Sequence, residues 1–371
     1  MRKIKLVFHV GRGKTATTFL QKIGQQLENV IFVGKFYPAT EKSNWFSAPI
    51  KELHYKLFAP YRHEVTGGYP NPSVNSFKLL AQYAEGLRQM IMEKPNAEIL
   101  MLSDECISDY DNFLGELNTL LIFALGNLLE EKLGNSFFVN KVLSLTIRNQ
   151  AELAASAFAY TATTGGTLST YVDSYLMSPN RSLFGGMFYF ECYTLYKLMV
   201  NDDWTIKLTP YELLSIDHDI AEYICHTFQL DPNQINVKAL DTKAVNVNSK
   251  RIGSQKIFIK RKTTVFGRMG HAWHACVPYA YRIARARKQY VAALGYALKY
   301  GIGSVFLNLD LFLRHLGFAR STEFILDDLL TKKIQDIYLD DNKMLQELLT
   351  KFDLIRYGYL PTGRDHTLKK K

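Results

Sequence analysis

The chain has 371 residues, 47% apolar and 22% charged, enough for one large core or for a domain with a substantial extension. Four scattered cysteines (Cys106, Cys192, Cys225, Cys276) with no C-x-x-C pair argue against a disulfide framework and for a reducing, cytoplasmic setting. The formal net charge of +10 is concentrated: Thr242–Leu309 holds 13 Lys and Arg and no Asp or Glu, and the other 303 residues sum to −3, so an anionic partner is expected for that segment.

Ile4–Val10 is mostly apolar and reads as a first strand, too short for a signal peptide. Two glycines and a lysine follow, and roughly Thr15–Leu27 reads as a helix. Asn29–Val33 has the composition of a short second strand. Gly34–Asn75 is long, aromatic and aperiodic, the profile of a functional loop or lid. Ser76–Glu93 then reads as a helix, Glu98–Leu102 as a strand, Leu114–Leu133 as a helix, Lys141–Ile147 as a strand and Gln150–Tyr160 as an alanine-rich helix. Trp204–Leu208 is a further short strand, followed by a helix near Asp217–Phe228. Strands alternating with helices predict an α/β fold, a parallel sheet flanked by helices, with ligands at the carboxyl ends of the strands. Three polar clusters fall at such ends: Gly11–Thr18, Ser103–Glu105 and Arg148–Ser156. No stretch of about 18 apolar residues offers a spanning helix.

The stretch HVGRGKTATTFLQ places backbone N–H groups and one cation at a helix start, where an anion is stabilised by donors and dipole together. Gly13-Lys14-Thr15 supplies the end of a Walker A pattern, but Phe8 stands where its first glycine belongs. The stretch instead resembles the 5′-phosphosulfate loop of sulfotransferases that use 3′-phosphoadenosine 5′-phosphosulfate (PAPS), which reads K-[ST]-G-T-T after the first strand. Lys14, Thr15, Thr17 and Thr18 match, and Ala16 replaces the glycine. RNQAELAAS resembles the 3′-phosphate element of the same family, with Arg148 at a strand end, Ser156 eight residues on, and Gln150 in place of proline. Arg offers a planar fork to a phosphate and Ser a hydroxyl. KLTPYELL resembles the strand and Tyr-Glu step of the nucleotide site, with Tyr211 facing adenine. SKRIG echoes the third phosphate segment and contributes Arg251. YLDDNKMLQELLTKFDL is similar to the closing helix of bacterial members.

The resemblance implies a P-loop-like sulfotransferase fold, with PAPS bound by Gly11, Arg12, Gly13, Lys14, Thr15, Ala16, Thr17, Thr18, Arg148, Ser156, Tyr211 and Arg251. It further implies in-line sulfonate transfer to a hydroxyl of a carbohydrate or glycolipid, with Lys14 neutralising charge on the bridging oxygen. Glu105 is the expected general base, with the local turn deciding between it and adjacent Asp104, and His9, His54 and His63 are lesser candidates. The rival classes are an ATP- and Mg²⁺-dependent kinase of the P-loop group and a non-catalytic nucleotide-binding scaffold. Taken alone, Arg148 also fits a helix-end salt bridge. His271, His274 and Cys276 lack a fourth ligand in the sequence, so no metal is expected.

The expected organisation is an α/β domain over residues 1–255, a mostly helical basic amphipathic extension or insertion over 256–320, and a C-terminal helix returning to the core with a basic tail over 321–371. Arg282, Arg285 and Lys288 at helical spacing suit an anionic membrane surface, reached through residues 250–318 on the cytoplasmic face. A groove for an acidic acceptor glycan is the alternative. Nucleic acid is not expected, because no binding module accompanies the charge.

Overall fold

The computed structural model describes residues 3–11, 15–34, 53, 57, 75–103, 114–134, 137–160, 167–176, 187–200, 202–232, 235–236, 239–240, 242, 249–252, 255–259, 264–266, 269, 295, 298, 301–302, 305–310, 312–313, 316 and 323–361. It has an α/β fold. Strands β1 (Ile4–Gly11), β2 (Val30–Gly34), β3 (Ile99–Ser103), β4 (Phe138–Ile147) and β5 (Trp204–Pro210) form one sheet in the order β2-β3-β1-β4-β5, every pair parallel. All five residues of β2 and of β3 are buried, as expected of parallel strands covered on both faces. Pro210, which has no N–H to give a central ladder, ends an edge strand.

The helices α1 (Thr17–Gly24), α2 (Asn75–Glu93), α3 (Leu114–Leu133) and α4 (Gln150–Tyr160) lie between or after these strands in the chain. Beneath α3, Trp204 meets Phe123 edge-on at 4.9 Å and Phe8 at 5.9 Å between ring centroids. Sequence patterning did not find α5 (Leu168–Leu176) or α6 (Tyr189–Met199), whose aromatic-rich composition has no clear apolar period. After β5 come a short turn of helix, α7 (Glu212–Ser215), and then α8 (Ile220–Phe228), so the helix placed near Asp217–Phe228 starts later than expected. His218 is left-handed (φ 57°), and the Asp219 side chain accepts the Glu222 N–H at 2.8 Å as the N-cap.

A second, antiparallel sheet was not expected. It joins β6 (Ser249–Ile252), β7 (Gln255–Ile259) and β8 (Glu323–Ile325) in the order β6-β7-β8. Buried Phe258 stacks on Phe324 at 5.6 Å, and Phe324 meets Phe158 of α4 edge-on at 5.2 Å, which seats this sheet on α4. The last helices are α9 (Asp328–Ile337), which packs on α4, and α10 (Leu339–Leu348), which packs on α6. Among the described residues, no helix is long and apolar enough to cross a membrane.

The chain runs from central β1 to the β2 edge, returns through β3, and crosses to β4 and β5 on the other side. The order therefore reverses next to β1. The crevice at the carboxyl ends of β1 and β4 is where an open α/β sheet places its ligand.

Candidate functional site

Gly11, the last residue of β1, pairs with Thr146, and Ile147 of β4 pairs with Pro210 of β5. Three segments singled out in the sequence thus leave adjacent strand ends side by side: the residues after Gly11, the turn at Arg148 and the turn at Tyr211. Arg12, Gly13 and Lys14 lie outside the described residues, as do Asp104, Glu105, Cys106, His54, His63, His271, His274 and Cys276.

The loop resumes at Thr15. Thr15 and Thr17 are buried with their hydroxyl oxygens 3.5 Å apart, and Thr18 is half-buried. Ala16, between them, has φ 60° and ψ 20°, the left-handed region that a Cβ disfavours. This conformation is why α1 begins at Thr17 rather than at Thr15. The Tyr223 hydroxyl of α8 donates to the Thr15 carbonyl at 3.2 Å, fixing the loop from below.

Under the loop lies a buried polar seam. His9 of β1 is 0% exposed; its Nδ1 is 2.8 Å from the Ser103 hydroxyl of β3 and its Nε2 3.0 Å from the Thr146 hydroxyl of β4. Gln21 of α1 donates to the Ser103 carbonyl at 3.2 Å. Burial pulls the His9 pKa down to about 3, so the ring is neutral. His9, a lesser candidate for the base, is instead a strut linking three strand ends, including Ser103, after which Asp104 and Glu105 follow in the chain.

Arg148 is buried, with its guanidinium 4.5 Å from the Tyr211 ring centroid. Its Nη2 is 3.3 Å from Glu152 Oε2 on the first turn of α4, and the Lys256 ammonium of β7 bonds the same oxygen. Burial opposes charge on Arg148, but Glu152 and its neighbours outweigh it and raise the pKa. Burial likewise opposes charge on Glu152, yet Arg148 and Lys256 win and lower it. Lys256 is lowered by burial and by Arg148 against the pull of Glu152.

Both readings of Arg148 made from the sequence are relevant here, since it forms the helix-end salt bridge and also stands at the crevice. Ser156 is buried one helical turn beyond Glu152 on the same face of α4. Arg251 pairs in register with Lys256 across the β6–β7 hairpin. Tyr211 faces the Arg148 guanidinium, and its N–H donates to the Ile147 carbonyl at 2.8 Å.

Glu152 and Lys256 were not picked out from the sequence, and Glu212 entered only as the second residue of the Tyr-Glu step. The i,i+4 spacing of Arg148 and Glu152 is a signal that could have found the first; Lys256 depends on a hairpin that the pattern did not disclose. Glu212 is buried and accepts the Asn149 N–H and the Tyr359 hydroxyl, each at 2.9 Å. Burial, with help from Glu152, raises its pKa to about 7. Below that pH Glu212 is largely neutral, and the cluster holds two cations against one carboxylate. Its net positive charge fits a phosphate oxygen at the crevice.

The turn after Arg148 is held by the C-terminal part of the chain. Gln150 and Asn342 exchange side-chain hydrogen bonds at 2.8 and 3.3 Å, Gln150 also donates to the Met187 carbonyl at 3.2 Å, and Asn342 to the Tyr359 carbonyl at 2.9 Å. The Tyr189 hydroxyl donates to the Arg148 carbonyl at 2.7 Å. Gln150, which replaces the proline of the resembling family, is thus a buried link to α10. No family model matches the chain, and no curated protein matches it.

Proposed function

We propose that the protein is a PAPS-dependent sulfotransferase with a P-loop-like sulfotransferase fold, moving sulfonate to a hydroxyl of a carbohydrate or glycolipid. One observation carries this reading. The loop containing Thr15–Thr18 and the Arg148–Tyr211 pair, drawn from three separate motifs, leave adjacent parallel strand ends beside the point where the strand order reverses. The net positive charge of the Arg148, Lys256 and Glu152 cluster supports it, as does Arg251 in register with Lys256.

PAPS supplies the activated sulfonate. In this reading the chain binds and orients: the loop amides and threonines hold the 5′-phosphate, while Arg148, with Ser156 on the following helix, holds the 3′-phosphate. Lys14 offsets charge on the bridging oxygen, and Glu105 takes the proton of the acceptor hydroxyl. The test is release of adenosine 3′,5′-bisphosphate from PAPS over a panel of carbohydrate acceptors. Lys14→Ala is expected to abolish release, and Glu105→Gln to slow it while leaving nucleotide affinity intact. Undiminished release by Lys14→Ala would overturn the assignment. A second reading, a non-catalytic nucleotide-binding module, draws on the fact that Arg148 is already bonded to Glu152; nucleotide binding without release in any variant would favour it.

A further inference from the structure

The strongly basic segment holds a feature that the proposed reaction does not use. Between Thr242 and Thr322 Asp310 is the only acidic residue. It is fully buried, accepting the Thr264 backbone N–H at 2.7 Å and the Thr264 hydroxyl at 2.8 Å through one oxygen. This part of the chain therefore presents no carboxylate to solvent. Residues 298, 302, 305, 309 and 312 are helical and 316 is in a turn. They are Leu298, Ile302, Val305, Leu309, Phe312 and Leu316, spaced 4, 3, 4, 3 and 4, the repeat that gathers side chains on one face of a helix.

That face is bare. Leu298 is 65% exposed, Val305 64%, Phe312 59%, Leu316 55% and Ile302 46%. On a helical wheel Asp310 falls about 100° from Leu309, so its buried carboxylate lies off this stripe. Phe306, also off the stripe's centre, stacks on Phe266 at 6.2 Å. Contiguous exposed aliphatic residues on a soluble surface mark a contact site.

We propose that this stripe is a docking surface for an anionic lipid membrane, with its apolar residues in the interface and the Lys and Arg of the same segment of chain on the headgroups. Charge complementarity selects the occupant, because Thr242–Thr322 holds 15 Lys and Arg, of which Lys256 is committed to Glu152, and its one carboxylate, Asp310, is buried. A second copy of the chain would bring like charges together. A nucleic acid would leave Leu, Ile and Val without partners, since bases are held by stacking on aromatic platforms.

The test is co-sedimentation of the full chain with vesicles of pure phosphatidylcholine and of phosphatidylcholine containing about 30% phosphatidylglycerol, at about 0.1 M and about 0.5 M salt. Binding to the anionic vesicles at low salt is expected, at least about 10-fold weaker on the neutral vesicles and weakened again by high salt. The double variant Val305→Gln/Phe312→Gln is expected to lose about 10-fold in binding with an unchanged melting temperature, both side chains being exposed. Undiminished binding by that variant would overturn the proposal. So would a wild-type chain that ignores anionic vesicles or elutes as a dimer that the variant dissociates. The lipid and salt dependence of the wild-type chain decides the matter even if the variant does not fold.

Discussion

Ala16 carries an identifiable conformational cost. An L-residue with a Cβ in the left-handed region loses roughly 1–2 kcal/mol, and glycine returns roughly half of that through its larger unfolded-state entropy. Ala16→Gly is therefore expected to stabilise the fold by about 0.5–1 kcal/mol, read as a higher urea midpoint at unchanged slope. An unchanged midpoint would mean that the loop relaxes around alanine. Glu152 presents the opposite case, because it is the shared partner of two buried cations. Glu152→Gln is expected to cost about 3 kcal/mol in urea unfolding. The same variant should bind adenosine 3′,5′-bisphosphate more tightly in a titration, since Arg148 and Lys256 would then lack their internal anion. Lower stability without gained affinity would confine the cluster to a structural role.

At the scale of elements, the site depends on how α4 is anchored. Its first residue, Gln150, is tied to Asn342 of α10, which also reaches the Tyr359 carbonyl. Asn342→Leu would leave a buried amide and a buried carbonyl without these partners, and is expected to lower stability by about 2–3 kcal/mol in urea melts. A loss under about 0.5 kcal/mol would show that water or local rearrangement replaces those bonds. The parallel strands and their helices were legible in the sequence because continuous apolar runs and 3.6-residue periodicity are local signals; Leu114–Leu133 and Gln150–Tyr160 form helices with the expected bounds. Which strands would be neighbours was not legible, and the crevice depends on it. The β6–β7–β8 sheet escaped for a related reason, since it joins Gln255–Ile259 to Glu323–Ile325 across more than 60 residues of chain. Within the site, Arg148 and Tyr211 were visible as motifs. The Glu152–Lys256 pairing and the His9 bridge are tertiary and have no signature in spacing alone.

Over the whole molecule, buried ionisable groups set opposing pH slopes. His9 falls from an ordinary 6.5 to about 3, so only the unfolded chain takes up its proton between those values, and stability is lost as pH falls from 6.5. Glu212 rises from 4.5 to about 7, so only the folded chain holds its proton in that window, and stability is lost as pH rises from 4.5 to 7. His226, pulled down to about 4 by burial, adds a slope of the same sign as His9, so between pH 4.5 and 6.5 Glu212 offsets only one of the two histidines. Glu212→Gln should remove that offset, steepening the stability lost from pH 6.5 to 4.5 by up to about 3 kcal/mol relative to the wild-type chain in urea melts; a profile no steeper than that of the wild-type chain would contradict it. The central claim is that the crevice between β1 and β4 is a nucleotide 3′-phosphate site, and calorimetric titration of the full chain with adenosine 3′,5′-bisphosphate, beside ATP with Mg²⁺, tests it most directly. Saturable binding of the bisphosphate, weakened by about 100-fold in Arg148→Ala and not matched by ATP, is the predicted result. Preference for ATP, or bisphosphate affinity unmoved by a folded Arg148→Ala, would contradict it.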